Sequence, residues 1–281
     1  MPQASTMPSS ISPDSYAFLQ RWIHISSGIV LDAHKSYLLE SRLAPVIERE
    51  GMRSIDDLCM HLRQGTPGLS RKVVEAMTTH ETLFFRDTTP FEILRKTIVP
   101  QLLVTRPRGH KINIWSAAAS SGQEAYSLAM ILIECGVAPG EVSILGTDLS
   151  EKVLERARLA TYGKFEVSRG LPADYLARYF QLHHDANGLP EYQLRDIIRQ
   201  MVRFEPLDLR ANFRGRGPFD IIFCRNVLIY FDTKTKEDIL REMRSVMSRG
   251  SFLLLGAAET IGSVEGFQRV HMDDAIAYVS K

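Results

Sequence analysis

The sequence predicts two successive parts: an all-helical N-terminal domain and an α/β domain built on a doubly wound parallel sheet. The first prediction comes from apolar residues at helical spacing in the first 85 residues, where no strand pattern interrupts them. The second comes from short apolar strands that alternate with helices from Lys111 onward, a pattern typical of a parallel sheet with helices on both faces. The length of 281 residues agrees with about two domains.

The helical domain is predicted over residues 13–85, after a small polar tail at 1–12 that we expect to be disordered. Ser12, Pro13 and Asp14 indicate a helix start, with a capping hydroxyl, a proline in the first turn and an acid near the positive end of the helix dipole. Further helices are predicted over residues 35–50, 55–63 and 69–77.

The α/β domain is predicted over residues 86–281. Its strands are KINIWS, VSILGT, FDIIFC and SFLLLGA, and helices over residues 124–135, 152–159 and 236–247 alternate with them. The last segments, FQRV and AIAYV, are interpreted as an antiparallel hairpin at the sheet edge. At about residues 179–207 the alternation breaks, because EYQLR and MVRFEPL are strand-like and a turn signal stands at Asn187-Gly188. This stretch predicts a small antiparallel β insertion.

Composition excludes several classes of protein. Lys and Arg total 34 and Asp and Glu total 33, and this balance argues against a nucleic-acid binder. No stretch approaches the ~18 apolar residues of a membrane helix, and the N-terminus lacks a secretory signal. The cysteines are odd in number and share no metal-ligand spacing, which predicts reduced thiols in a cytoplasmic protein without a metal site.

Polar and small residues follow the predicted strands where open α/β sheets bind ligands. The loop at residues 117–124 is built mainly of small residues, which suits either the close approach of a ligand or tight helix–strand packing. Asp148 ends the second strand, where an acid either accepts hydrogen bonds from ribose hydroxyls or serves as a turn or helix cap before Ser150. Together, the loop and the acid favour a nucleoside ligand.

Two further segments are ambiguous by themselves. Arg225 and Asn226 directly follow the strand FDIIFC, where they either contact a ligand or simply cap the strand and form a turn. Tyr230 and Phe231 then either wall a pocket or fill the core. The segment at residues 78–86 joins the two predicted domains and either lines a cleft or is a packed linker.

Five blocks in order resemble the chemotaxis receptor methyltransferases, the CheR family. They are TTHETLFFRD, IWSAAASSGQEAYSLA, GTDLS, FEPLDL and FDIIFCRNVLIYFD. The resemblance extends over nearly the whole chain after about residue 12. It implies a helical N-terminal domain and a doubly wound, Rossmann-like methyltransferase domain with an inserted three-stranded antiparallel subdomain.

The same resemblance implies S-adenosylmethionine as methyl donor, S-adenosylhomocysteine as product, and glutamate side chains on the cytoplasmic helices of chemoreceptors as acceptors. It implies no metal. Carried over residue by residue, it assigns donor-binding roles to His80, Thr82, Arg86, Ala118, Glu124, Asp148, Asp208, Leu209, Arg225 and Asn226. Arg86 is further expected to orient the incoming carboxylate, and Tyr230 to form a wall of the acceptor pocket.

The chain departs from the family pattern at several positions. His80 stands where the family usually has asparagine, and Gln123 replaces the first of two paired glutamates, so Glu124 is the preferred assignment. Asp208 replaces the asparagine of the usual Asn-Leu pair, which keeps an acceptor and loses an amide donor.

Partners and competing functions follow from the same residues. A basic stripe of Lys35, Arg42, Arg49 and Arg53 either meets acidic receptor helices or is a solvated face. In part of the family the β insertion binds a receptor's C-terminal peptide by strand addition. The alternatives are a methyltransferase for a small molecule or another protein, a donor- or nucleotide-binding adaptor without enzymatic activity in a signalling complex, and, more distantly, a nicotinamide dehydrogenase.

Overall fold

The computed structural model describes residues 11–32, 36–107, 109–272 and 275–281. The chain separates into two compact units, Met1–Thr79 with Tyr230–Asp232, and His80–Ile229 with Thr233–Lys281. Residues 1–10 of the predicted disordered tail lie outside the described residues. Lys35 of the basic stripe lies outside them as well.

The smaller unit is helical, as predicted. In the described residues its helices are α1 (Pro13–Ser27), α2 (Ser36–Arg49), α3 (Ile55–Arg63) and α4 (Leu69–Met77). The predicted start of α1 is confirmed, because the Ser12 hydroxyl accepts a hydrogen bond from the Ser15 N–H at 3.2 Å. Gly28 ends α1 with a φ of 76°, a left-handed conformation that costs glycine little. The four helices share one apolar core that contains Leu19, Leu43, Leu58 and Val73.

Arg42 on α2 is engaged inside this unit. Its guanidinium donates to the carbonyls of Met77 and Thr78, at 2.6 and 3.3 Å. Carbonyls at the end of a helix lack partners within the helix, and a cation is favourable there. Arg42 therefore caps the C-terminal end of α4, whereas Arg49 and Arg53 of the predicted stripe are exposed.

The larger unit is built on a doubly wound sheet, as predicted. In the described residues its strands are β1 (Ile112–Ala117), β2 (Val142–Asp148), β6 (Val202–Pro206), β7 (Phe219–Cys224), β8 (Met247–Leu255), β9 (Phe267–Met272) and β10 (Ala275–Ser280). Their order is β6-β2-β1-β7-β8-β10-β9. The first five in this order are parallel, and the winding direction reverses between β1 and β7. The predicted edge hairpin is confirmed, because β9 and β10 pair antiparallel.

The larger unit also contains helices before and between its strands. They are α5 (Thr89–Ile93), a π-helical turn (Leu94–Ile98), α6 (Val99–Thr105), α7 (Gln123–Glu134), α8 (Glu151–Leu159), α9 (Lys164–Val167), α10 (Ala173–Tyr179), α11 (Asp196–Arg199) and α12 (Thr233–Ser245), with 3-10 turns at Pro139–Glu141 and Leu228–Tyr230. The predicted helices over residues 124–135, 152–159 and 236–247 correspond to α7, α8 and α12. Among the described helices, none has the length and apolar character needed to span a lipid bilayer.

A second, antiparallel sheet is smaller. Its strands are β3 (Thr161–Gly163), β4 (Phe180–His184) and β5 (Pro190–Leu194), in the order β3-β5-β4. The predicted turn at Asn187-Gly188 is confirmed, since the Asp185 carboxylate accepts the N–H groups of Asn187 and Leu189 at 2.9 and 2.8 Å.

The assignment of MVRFEPL to this insertion is wrong. That segment is β6, which pairs in parallel with β2 from Ile144 opposite Val202 to Asp148 opposite Pro206. Burial of the Phe204 side chain favours this pairing with β2. Its ring packs against Tyr126 on α7, with the two ring centroids 5.5 Å apart. The third strand of the small sheet is instead β3, which lies well before residue 179 in the chain.

Candidate functional site

Four parallel strands end side by side at one edge of the main sheet. Ala117 on β1 pairs with Thr147 on β2 and Cys224 on β7, and Asp148 pairs with Pro206 on β6. Neighbouring strands lie about 4.8 Å apart, so the segments that follow these strands share an edge about 14 Å wide. Open α/β sheets bind ligands in the crevice at such an edge, next to the point where the winding direction reverses.

The loop between β1 and α7 turns sharply. Ala118, Ser120 and Gly122 have φ angles of 61°, 51° and 94°, all in the left-handed region where small residues are least strained. A Cβ on Gly122 would lie 3.0 Å from the Ala157 Cβ and 3.1 Å from the Phe204 ring. Tight helix–strand packing is therefore required at Gly122. Ala118, which remains partly exposed, leaves room for a ligand near the backbone.

Asp148 is a buried acid at the end of β2, with 8% of its surface exposed. Its two oxygens accept the N–H groups of Ser120 and Ser150, at 2.9 and 3.0 Å. Burial raises the pKa of the carboxyl group, whereas these N–H groups and the nearby His80 imidazole act in the opposite direction. The N–H of Leu149 also bonds to this carboxylate. A carboxylate has about four acceptor positions, so three N–H donors leave capacity for a hydroxyl donor.

The helix cap after β2 is Ser150 rather than Asp148. The Ser150 hydroxyl accepts the N–H of Val153 in the first turn of α8. For the turn or helix-cap role that the sequence left open, the turn is present, because Oδ1 of Asp148 accepts the N–H of Ser150 two residues further on. The helix-cap role belongs to Ser150. The other oxygen of Asp148 joins the β1–α7 loop to the end of β2.

Arg225, directly after β7, is the centre of a buried ion-pair cluster. Its side chain is 1% exposed and donates to Glu124 at 3.0 Å, to Asp87 at 2.8 Å and to the Arg86 carbonyl at 2.8 Å. The other Glu124 oxygen accepts the Ser116 hydroxyl at 2.8 Å. Burial raises the pKa of Glu124, and the Arg225 guanidinium opposes that rise. This cluster ties together β1, α7, β7 and the segment before α5.

The segment at residues 84–88 has a strained backbone. Phe85, Asp87 and Thr88 have φ angles of 51°, 62° and 27°, and each such conformation costs on the order of 1–3 kcal/mol. Surrounding contacts hold it, because the Phe85 N–H donates to the Ser127 hydroxyl at 3.0 Å. The Phe84 ring packs edge-on against Tyr162 at 5.0 Å. These contacts belong to the larger unit, so the structural division at Thr79 precedes the boundary predicted after residue 85.

Within the larger unit, His80 of the segment TTHETLFFRD lies beside the β1–α7 loop. The His80 carbonyl accepts the Ser120 hydroxyl at 3.0 Å. Thr82 is half-buried, and the Arg86 guanidinium donates to the Glu81 carbonyl at 2.9 Å. The structure thus brings His80 together with Asp148, and the Arg86 backbone together with Arg225.

Asp208 and Leu209 follow β6, beside the end of β2. The Leu207 N–H donates to the Asp148 carbonyl at 2.9 Å, and Leu209 is buried. The Asp208 carboxylate, however, is engaged by Arg210, whose guanidinium Nη2 lies 2.6 Å from Oδ2. A ligand contact by the Asp208 side chain has to compete with this pair.

Asn226 and Tyr230 lie in different environments. Asn226 has a φ of 58°, and its N–H donates to Glu259 at 2.8 Å. Tyr230 belongs to the smaller unit, where its carbonyl accepts the Val30 N–H at 2.9 Å. Its catalytic role therefore stays a prediction.

Sequence reasoning missed Ser120, Asp87 and Glu259. Ser120 and Asp87 stand inside blocks that were singled out, but small and acidic residues in loops give no specific signal. Glu259 follows the strand SFLLLGA, so an acid after a buried strand was the available clue.

Comparison with known proteins agrees with this geometry. The family described as "CheR methyltransferase, SAM binding domain" matches residues 80–276, and "CheR methyltransferase, all-alpha domain" matches residues 14–78. Chemotaxis protein methyltransferase 1 of Pseudomonas aeruginosa is 40% identical over 260 residues, which covers 90% of this chain and 93% of that protein. The chemotaxis protein methyltransferase of Vibrio parahaemolyticus is 39% identical over 282 residues, with 97% and 98% covered. The chain belongs to the CheR methyltransferase family.

Proposed function

We propose that this protein transfers a methyl group from S-adenosylmethionine to glutamate side chains of bacterial chemoreceptors in the cytoplasm, forming glutamate methyl esters. The family match over both units supports the reaction class. Relatives called chemotaxis protein methyltransferases support the receptor as substrate. The observation that carries the proposal is the buried Asp148 beside the β1–α7 loop, at the sheet edge where a nucleoside ligand is expected.

The described residues fit the donor. Asp148 retains acceptor capacity for a ribose hydroxyl, and the small residues around Ala118 let a ligand approach the backbone. Leu209 offers an apolar contact for a base. Arg225 and Asn226 close the same edge, and the Arg225 Nε is buried without a hydrogen-bond partner among the described residues.

The main task of the protein in this reaction is to align the acceptor carboxylate with the methyl group of the donor. When bound, S-adenosylmethionine supplies a methyl group that is activated by a positively charged sulfur. An acceptor glutamate has a reference pKa of about 4.3, so it is ionised at neutral pH and needs no general base. Holding a carboxylate in line with the methyl group can lower the barrier by ~7–11 kcal/mol. We assign the orientation of that carboxylate to Arg86 and a wall of the acceptor pocket to Tyr230.

Esterification changes the charge of the receptor. Each methyl ester removes one negative charge, so repulsion between neighbouring receptor helices falls. A change of this kind can bias a two-state signalling equilibrium, as other charge-changing modifications do. The product therefore suits sensory adaptation.

The small sheet is a second contact surface in this proposal. Within the described residues, the order β3-β5-β4 leaves the outer edge of β4 unpaired, and Leu182 on β4 is 56% exposed. Such an edge accepts an extended peptide by strand addition. We propose that a C-terminal receptor peptide binds here.

Incubation with a cytoplasmic chemoreceptor fragment and methyl-labelled donor tests the proposal. We expect label that is released by base, as methyl esters are, and lost when the receptor glutamates are changed to alanine. The Asp148→Ala protein serves as the control for the donor site. Label that persists on the alanine receptor would contradict glutamate as the acceptor. A folded protein that binds donor but labels no receptor would favour the adaptor or another substrate.

A further inference from the structure

Glu259 is a buried carboxylate whose acceptor positions are all directed at backbone N–H groups. It follows β8, and 8% of its surface is exposed. Oε2 accepts the N–H groups of Gly256 and Asn226, at 2.7 and 2.8 Å. Oε1 accepts those of Val227 and Ile229, at 2.9 and 3.3 Å. These four bonds fill the roughly four acceptor positions of a carboxylate, so Glu259 has little capacity left to contact a ligand directly.

Three of those donors belong to the segment that follows β7. Residues 226–229 come directly after Arg225 and include Asn226, whose φ of 58° is uncommon for a residue with a side chain. The fourth donor, Gly256, follows β8, the neighbouring strand. One side chain therefore holds two adjacent strand-end segments, and the N–H groups of both are satisfied at once.

Gly256 is part of the same arrangement. A Cβ at this position would lie 2.7 Å from the Glu259 Oε2 and 2.9 Å from the Asn226 nitrogen. Both distances are below what a side chain tolerates. The close approach of carboxylate and backbone thus requires glycine at residue 256.

We propose that Glu259 is a positioning residue for the donor site: through its four backbone hydrogen bonds it fixes Arg225 and Asn226 in the conformation that receives S-adenosylmethionine. This role rests on the proposed donor site. It requires no contact between Glu259 and the donor, since a site formed before the ligand arrives binds it without the cost of ordering a loop.

The test compares Glu259→Gln with a matched variant of another buried acid. Glutamine keeps the size of the side chain but turns an NH2 group toward two backbone donors. The matched variant is Asp220→Asn. Asp220 is 3% exposed and accepts Arg106, His110 and the Asn113 N–H at 2.8, 2.9 and 3.0 Å. It stands at the start of β7, at the opposite end of that strand from Asn226.

Calorimetric titration of S-adenosylmethionine and S-adenosylhomocysteine gives the first readout, and thermal unfolding without ligand gives the second. We expect both variants to lower the unfolding temperature. Glu259→Gln should weaken binding of both ligands by about 10-fold or more, and Gly256→Ala should weaken it similarly, whereas Asp220→Asn should leave it unchanged. If Glu259→Gln binds both ligands within about twofold of the wild type, the positioning role is overturned.

Amide hydrogen exchange on the wild-type protein covers the case in which the variants do not fold. The N–H groups of Asn226, Val227 and Gly256 should be protected without donor, because Glu259 already holds them. Exchange as fast as in an exposed loop would overturn the proposal. Wild-type protein that binds neither ligand would overturn the proposed function and this role with it, whereas equal binding by wild type and Glu259→Gln overturns this role alone.

Discussion

Replacing Arg225 with methionine tests the buried ion pair at the sheet edge. The Glu124 side chain is 13% exposed and lies 3.0 Å from the guanidinium, and removing one partner of a buried pair costs about 3–5 kcal/mol. The Asp87 side chain is 46% exposed, so solvent limits its share to less than about 1 kcal/mol. We therefore expect Arg225→Met to lower the free energy of unfolding of the larger unit by about 3–5 kcal/mol.

The pH dependence identifies Glu124 as the source of that loss. Without the guanidinium, the pKa of Glu124 in the folded protein rises further above its unfolded value of about 4.3. Between those two pKa values the folded protein binds more protons than the unfolded chain, so stability falls as the pH rises. The deficit of Arg225→Met should therefore be smaller near pH 5 than near pH 8.

Urea unfolding near pH 5 and near pH 8 measures the loss in free energy of unfolding caused by Arg225→Met. The double variant Arg225→Met, Glu124→Gln is the control. The double variant lacks the buried carboxylate, so we expect it to recover stability near pH 8 and to lose the extra pH slope. A loss below about 1 kcal/mol, or equal deficits in the single and double variants at both pH values, would refute the reasoning.

Two further predictions concern packing and helix capping. A Cβ on Gly146 would lie 2.5 Å from the Phe204 ring, so Gly146→Ala should cost about 1–3 kcal/mol in urea unfolding. Gly140→Ala meets nothing within 4 Å and should have little effect, and equal midpoints for the two variants would contradict this. Arg42→Met removes the donor to two end carbonyls of α4 and should cost about 1–2 kcal/mol. Arg49→Met should stay within about 0.5 kcal/mol, and a similar loss in both variants would show that the capping bonds contribute nothing.

The order of strands and helices was predictable wherever the buried residues of an element form a recognisable apolar pattern in the local sequence. The mostly apolar strand FDIIFC and the alternation around it identified β7 and the doubly wound sheet, and the edge hairpin was visible from two adjacent short strands. The partner of β6 was not predictable, because it depends on the packing of Phe204 against α7, far away in sequence. β3 has three residues, too few for a period to be recognised.

The residues of the candidate site that follow the strands were predictable from the sequence. The hydrogen bonds and ion pairs between the site residues were not. Asp148 and Arg225 stood out because each follows an apolar strand. The pairing of Asp208 with Arg210 was hidden, since an acid and an arginine two residues apart occur in many exposed loops. Glu259 was missed because its partners are backbone N–H groups, which the sequence does not distinguish.

Binding of the donor is the most direct test of the central claim. Titration of S-adenosylmethionine into purified protein by calorimetry is compared with Asp148→Ala, and with Asp238→Ala on the exposed surface of α12 as the control. We predict micromolar binding by the wild type, at least ~10-fold weaker binding by Asp148→Ala, and no change for Asp238→Ala. Folded wild-type protein that does not bind, or an Asp148→Ala variant that binds as well as the wild type, would contradict the account.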